Sequence, residues 1–233
     1  MSSSHEIPQA YTPIGQASAE ARARFITRTY NHLMGSIVLF TLMEVWLFTT
    51  GMAESIAAAL LSGSWLLILG GFMLVTWLAT RAAHTSESKP AQYAALFAVV
   101  AAYAVLFVPM LYIANSYADG TIESAALVTM LGFGGLTAVA FTTRKDFSFM
   151  GAALRWGGVV ALLAIVGGVL FGFELGTWFS VAMVGFAGAA VLYDTSNVLL
   201  HYPEDRYVGA ALQLFASVAM MFWYILRIFI GRR

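Results

Sequence analysis

The chain has no cysteine. That excludes disulfides, thiolate nucleophiles and cysteine-ligated metals, and it leaves the redox compartment open. Charge is also scarce: Asp, Glu, Lys and Arg make up 10% of 233 residues, against about 25% in a soluble domain. The 12 basic and 12 acidic side chains cancel, so no bulk field or basic arm recruits nucleic acid. The four histidines, His5, His32, His84 and His201, lie in different segments, and none has the spacing of a metal-ligand pair. P-loop, GxSxG and dinucleotide fingerprints are missing. Ser196 and Ser217 have no evident base beside them in sequence. These absences argue against an enzyme, and neither a cofactor nor a metal site is expected.

What is present is apolar: 60% of the residues are hydrophobic, and the mean hydropathy is +0.79. Such a chain lacks the polar surface to stay in water, which implies an integral membrane protein. A helical span needs about 20 apolar residues. Seven stretches qualify, at about 30–50, 65–83, 91–114, 122–142, 149–172, 177–200 and 207–230. The breaks between them, such as HTSESKP at 84–90 and HYPEDR at 201–206, mix turn formers with charge. Alternating apolar and polar residues do not recur, so the expectation is an all-α bundle and not a β-barrel. The first 24 residues are small and polar, carry Pro8 and Pro13, and lack a signal-type apolar core. They read as a flexible cytoplasmic tail (1–24) before a seven-helix transmembrane domain (25–233).

Orientation follows from lysine and arginine near the span ends. Arg22, Arg24 and Arg28 precede the first span; Arg81, Lys89, Arg144, Lys145 and Arg206 fall at the second, fourth and sixth breaks. The other breaks carry acids such as Glu54, Asp119 and Glu174. The amino terminus is therefore expected in the cytoplasm and the carboxyl terminus outside, with Arg227, Arg232 and Arg233 placed against the rule. Small-residue runs, GFGG at 132–135 and GFAGAA at 185–190 among them, suit close helix packing.

Three ionisable residues fall inside spans: Glu44, Arg81 and Asp194. Intramembrane charge is costly and points to function, with a partner to be found. At about 1.5 Å rise per residue, Arg81 and Asp194 reach similar depths on the cytoplasmic side. They can pair if the second and sixth spans touch; snorkelling to the headgroups is the alternative for Arg81. Glu44 lies in the outer half, away from both.

The segments TTRKDFSFMG (142–151) and LYDTSNVLLHYPEDRYVGAALQLFAS (192–217), in a seven-span chain, resemble the Bax inhibitor family (transmembrane Bax-inhibitor-motif proteins), in particular its bacterial YccA-like branch. The resemblance runs from Thr27 onward. It implies six helices around a central seventh. Many members are described as proton-sensitive calcium leaks that sense pH through two aspartates, with an arginine as a further partner. Asp194 matches the first aspartate and Arg81 the arginine. The second aspartate's position holds Ser217, in LFAS. A serine donates a hydrogen bond but cannot share the proton as a second carboxyl would. The resemblance thus implies a polar core of Asp194, Arg81 and Ser217. YccA-type members are instead associated with the membrane-anchored AAA protease (FtsH type), as modulators. Two functions follow: an inner-membrane modulator of that protease, or a pH-sensitive calcium or cation leak gated by protonation of Asp194. The expected partners are membrane lipid, the protease, and Ca2+ or H+.

Overall fold

The computed structural model describes residues 12–117 and 119–231. Eight helices follow one another: α1 (Ala19–Thr49), α2 (Met52–Ser62), α3 (Trp65–Thr85), α4 (Lys89–Tyr117), α5 (Thr121–Thr143), α6 (Met150–Phe171), α7 (Gly176–Leu200) and α8 (Tyr207–Gly231). No strand occurs among the described residues. Seven of these helices are long and apolar enough to cross a membrane. Each coincides with one of the seven apolar stretches. The fold is an all-α transmembrane bundle.

The eighth helix, α2, was not expected. Its 11 residues, MAESIAAALLS, are too few to span. Gly51 takes the left-handed conformation at φ 76° and turns the chain from α1 into it. Ala53 and Ala57 then bury their small faces against Leu47 of α1 and Val108 of α4.

The seventh span, α8, is the centre. It packs against α1, α3, α4, α5 and α7, and residues all round its axis are buried, from Val208 to Leu226. A helix apolar on every side belongs in a core. The sixth span, α7, is its main neighbour. The buried positions Ser180, Met183, Ala187, Val191, Asp194 and Val198 recur every three or four residues, which is one helix face. Helix α6 lies outside, mostly against α7. Small residues set the spacing: a Cβ on Gly188 of α7 would stand 3.2 Å from Leu136 of α5.

Most of the lysines and arginines lie at one end of the bundle, with Arg227 at the other, while acids occur at both ends. Arg28, Arg81, Lys89, Arg144 and Arg206 gather at one end of the bundle, and Glu54, Asp119 and Glu174 at the other. At the basic end, the chain before α1 is packed. Ser18 caps α1 by accepting from Ala21 N–H at 3.2 Å. Ile14 is fully buried, and its N–H donates to the Tyr202 carbonyl at 2.8 Å. Arg22 Nη2 donates to the Gly15 carbonyl at 2.8 Å. The expected tail of residues 1–24 is corrected accordingly: residues 12–24 belong to the folded bundle, because Ile14 and Phe25 fill apolar space under Tyr202. Residues 1–11 of that tail lie outside the described residues, as do Arg232 and Arg233.

Candidate functional site

Asp194 sits on the buried face of α7, about 9 Å before the helix ends at Leu200. It is 2% exposed. Ser217 projects from the central helix and donates its hydroxyl to Asp194 Oδ2 at 2.5 Å. The Gln213 side chain lies against the same carboxylate. Gln213 and Ser217 are four residues apart and so share one face of α8. Ser217 thus holds the acid from the core helix at the distance of a short O–H···O bond, with Gln213 beside it.

Of the three residues named for this core, the structure brings together Asp194 and Ser217. Arg81 is elsewhere. It is exposed on α3, with its guanidinium over the Trp77 ring at 5.7 Å, and no ion pair joins it to Asp194 among the described residues. Similar depth did not make them neighbours, because α3 turns that face to lipid. This corrects the expected Arg81–Asp194 pair. Gln213 takes the role instead. Its signal was in the sequence, at i−4 from Ser217, but an uncharged residue does not advertise itself in an apolar run.

The polar residues around Asp194 extend toward the basic end. Thr195 and Ser196 are also buried. The Tyr30 hydroxyl of α1 is buried near Thr195 of α7 and Thr137 of α5, and none of the three hydroxyls has a hydrogen-bond partner among the described residues. Ser196 Oγ accepts from Phe147 N–H at 2.9 Å and donates to the Lys145 carbonyl at 3.4 Å. The two most specific segments of the sequence, TTRKDFSF and DTSN, therefore touch. Arg144 adopts φ 50° where α5 stops. Asp146 Oδ1 accepts from Ser148 N–H at 2.8 Å, and Asp146 Oδ2 lies 3.3 Å from His201 Nε2. The Ser148 hydrogen bond, helped by the His201 ring, holds the Asp146 carboxyl below the ordinary aspartate range.

Beneath this lies a polar crevice of about 860 Å³, lined by His84, Tyr193, Asn197, His201, Pro203 and Glu204 among others. His84 Nε2 meets the Tyr202 hydroxyl at 3.1 Å. Two cations brace the chain between α7 and α8: Lys89 donates to the Asp205 carbonyl and Arg206 to the Ser86 carbonyl. Among the described residues no group of three His, Asp or Glu converges as a metal-ligand set.

Glu44 stands apart from this core, as its depth implied. It is 7% exposed and lines a separate cavity near the acidic end.

A seven-span bundle with a buried central helix, and a carboxyl held on it from the neighbouring span, defines the class of protein. The profile of the family described as "Inhibitor of apoptosis-promoting Bax1" matches residues 22–233. The chain belongs to this Bax inhibitor family. It is 28% identical over 204 residues to the Escherichia coli (strain K12) protein named "Modulator of FtsH protease YccA", covering 86% of this chain and 90% of that one. It is 34% identical over 122 residues to an uncharacterized protein of Pseudomonas aeruginosa, where the match spans 51% of this chain and 54% of the relative. A BI1-like protein of Arabidopsis thaliana is 34% identical over 119 residues, 47% of this chain and 45% of that one.

Proposed function

We propose that this protein is an inner-membrane modulator of a membrane-anchored, FtsH-type AAA protease, oriented with its amino terminus in the cytoplasm. The observation that carries the reading is the match to the Escherichia coli protein of that name, which runs almost end to end in both chains. The structure supports it physically. A bundle braced at its basic end by Ile14, Arg22 and Arg206 resists being pulled apart, which suits a protein that meets an unfolding machine without being consumed. Gathering of Arg28, Lys89, Arg144 and Arg206 at one end favours that end as cytoplasmic. Residues 1–11 precede the packed segment, and the proposal assigns the contact with the protease to them. In the test, the full chain and a variant lacking residues 1–11 are co-expressed with the protease. Co-purification with the full chain and its loss in the truncated form are expected. Equal recovery of both forms, or of neither, contradicts this mode of engagement.

The second reading is a cation leak gated at Asp194. It is favoured by one observation: Asn197, on the same helix as Asp194 and three residues on, lines the polar crevice at the basic end. Flux would then depend on Asp194, and Asp194→Asn would change calcium release from liposomes and its dependence on pH. Absence of any calcium flux through the wild-type protein across about pH 6 to 8, where buried acids commonly switch, removes this reading.

A further inference from the structure

The cavity around Glu44 belongs to neither reading. Helices α1 and α5 meet at the basic end, where the Tyr30 and Phe141 rings pack edge-on at 5.8 Å. Toward the acidic end they part. The gap is backed by α8 through Phe215, Val218 and Phe222, and by α4 through Phe107 and Leu111. It encloses about 400 Å³, within the range of small-molecule sites. Its mouth carries Thr41, Val45 and Met130, all exposed on the bundle's outer surface. In a membrane that surface faces lipid, so the cavity is reached sideways from the bilayer.

Its polar chemistry is one-sided. Glu44 is more than nine-tenths buried, and neither carboxylate oxygen has a hydrogen-bond partner among the described residues. A buried acid without a partner is costly and calls for one. The two hydroxyls of the lining have already spent their protons: Thr41 donates to the Ile37 carbonyl at 2.9 Å, and Thr129 to the Ala125 carbonyl at 2.7 Å. What they present to the cavity is lone pairs. With Glu44 ionised, the lining apart from the Asn115 amide accepts and does not donate.

We propose that this cavity binds a primary ammonium group carried on a compact apolar body, with Glu44 as its counter-charge. An ammonium brings three donors and no acceptor, the complement of Glu44, Thr41 and Thr129. The phenylalanine-rich wall suits an apolar body and attracts a cation through its ring faces. A hard metal ion is a poor fit. Calcium takes six to eight oxygens and magnesium a near-octahedral set, whereas one carboxylate here faces a mostly apolar wall. A carboxylic acid ligand would meet Glu44 as a like charge. The ammonium can come from a dissolved amine or from the headgroup of an aminolipid.

The test uses the full chain in phosphatidylcholine nanodiscs and radiolabelled 1-adamantylamine, with 1-adamantanol and 1-adamantanecarboxylate as isosteric controls. Saturable binding of the amine is expected, with both controls far weaker. Glu44→Gln keeps the shape and removes the charge, so it should weaken the amine by about tenfold or more and leave the alcohol unchanged. Ala126→Leu, which fills the cavity from α5, should abolish binding. Thr129→Val, nearly isosteric, should weaken the amine several-fold and keeps the test alive if Glu44→Gln does not fold. Phosphatidylethanolamine that competes in the discs identifies the lipid as the source of the ammonium; a lack of competition identifies a soluble amine. Non-saturable binding, equal affinity in wild type and Glu44→Gln, or displacement by millimolar calcium at constant ionic strength overturns the proposal.

Discussion

Removing the Ser217 hydroxyl tests how the polar core holds together. Ser217→Ala deletes one oxygen and leaves the helix-forming tendency of α8 intact or improved. Asp194 and Ser217 are 2% and 4% exposed, so water cannot replace the lost donor. The bond is 2.5 Å long. A hydrogen bond contributes about 0.5–1.5 kcal/mol, or about 1.5–3 kcal/mol where the acceptor is charged, and leaving its buried partner unsatisfied adds about 1–3 kcal/mol to the cost of losing it. Gln213 still faces the carboxylate and recovers part of that, so a net loss of about 2 kcal/mol is expected. For a chain of this length that is a fall of about 4–8 °C in unfolding temperature. The assay is thermal unfolding in one detergent, for wild type, Ser217→Ala, Asp194→Asn and the double variant. The cycle isolates the pair: the double variant should lose clearly less than the sum of the single losses. Additive losses would refute the direct bond. So would a Ser217→Ala protein as stable as wild type.

Three further outcomes follow from the packing and charge. Asp146 has a depressed folded-state pKa, so its contribution is present above the unfolded aspartate value of about 3.9 and is lost as pH falls through the lower folded value. Unfolding temperature measured from pH 6 to pH 3 should show a loss in wild type that Asp146→Asn lacks. A Cβ on Gly15 would stand 2.9 Å from the Leu200 carbonyl oxygen, so Gly15→Ala should lift the segment before α1 from α7 and speed limited proteolysis near residue 15. Gly188→Val should cost about 1–3 kcal/mol by overpacking against Leu136, read as a lower unfolding temperature.

The spans were legible because lipid demands a length. Each apolar run from 30 to 230 became a helix, with ends displaced by a few residues where polar turns of helix extend past the apolar segment. The exception is α2, which is too short for a length criterion to detect, although AESIAAALLS is rich in helix formers. The centrality of α8 came from the family resemblance, and the structure shows its cause in a helix buried on every side. The core site was half legible. Asp194 announced itself by charge, and Ser217 by standing where the family places an acid. Arg81 misled because depth along a helix says nothing about which way a side chain points. Gln213 and the Ser196 link to residues 145–147 carry no charge and connect distant segments, so only three dimensions reveal them. The Glu44 cavity needed the divergence of α1 from α5, which no local pattern encodes.

The proposal with most at stake is that the protein modulates an FtsH-type protease. Its most direct measurement is the rate at which that protease, reconstituted in liposomes, degrades a defined membrane substrate with and without the full chain. The account predicts that the rate changes as the chain is added, reaches a plateau, and returns to its starting value when the chain lacks residues 1–11. A rate unchanged at excess chain, in liposomes where the protease and its substrate are both active, would contradict it.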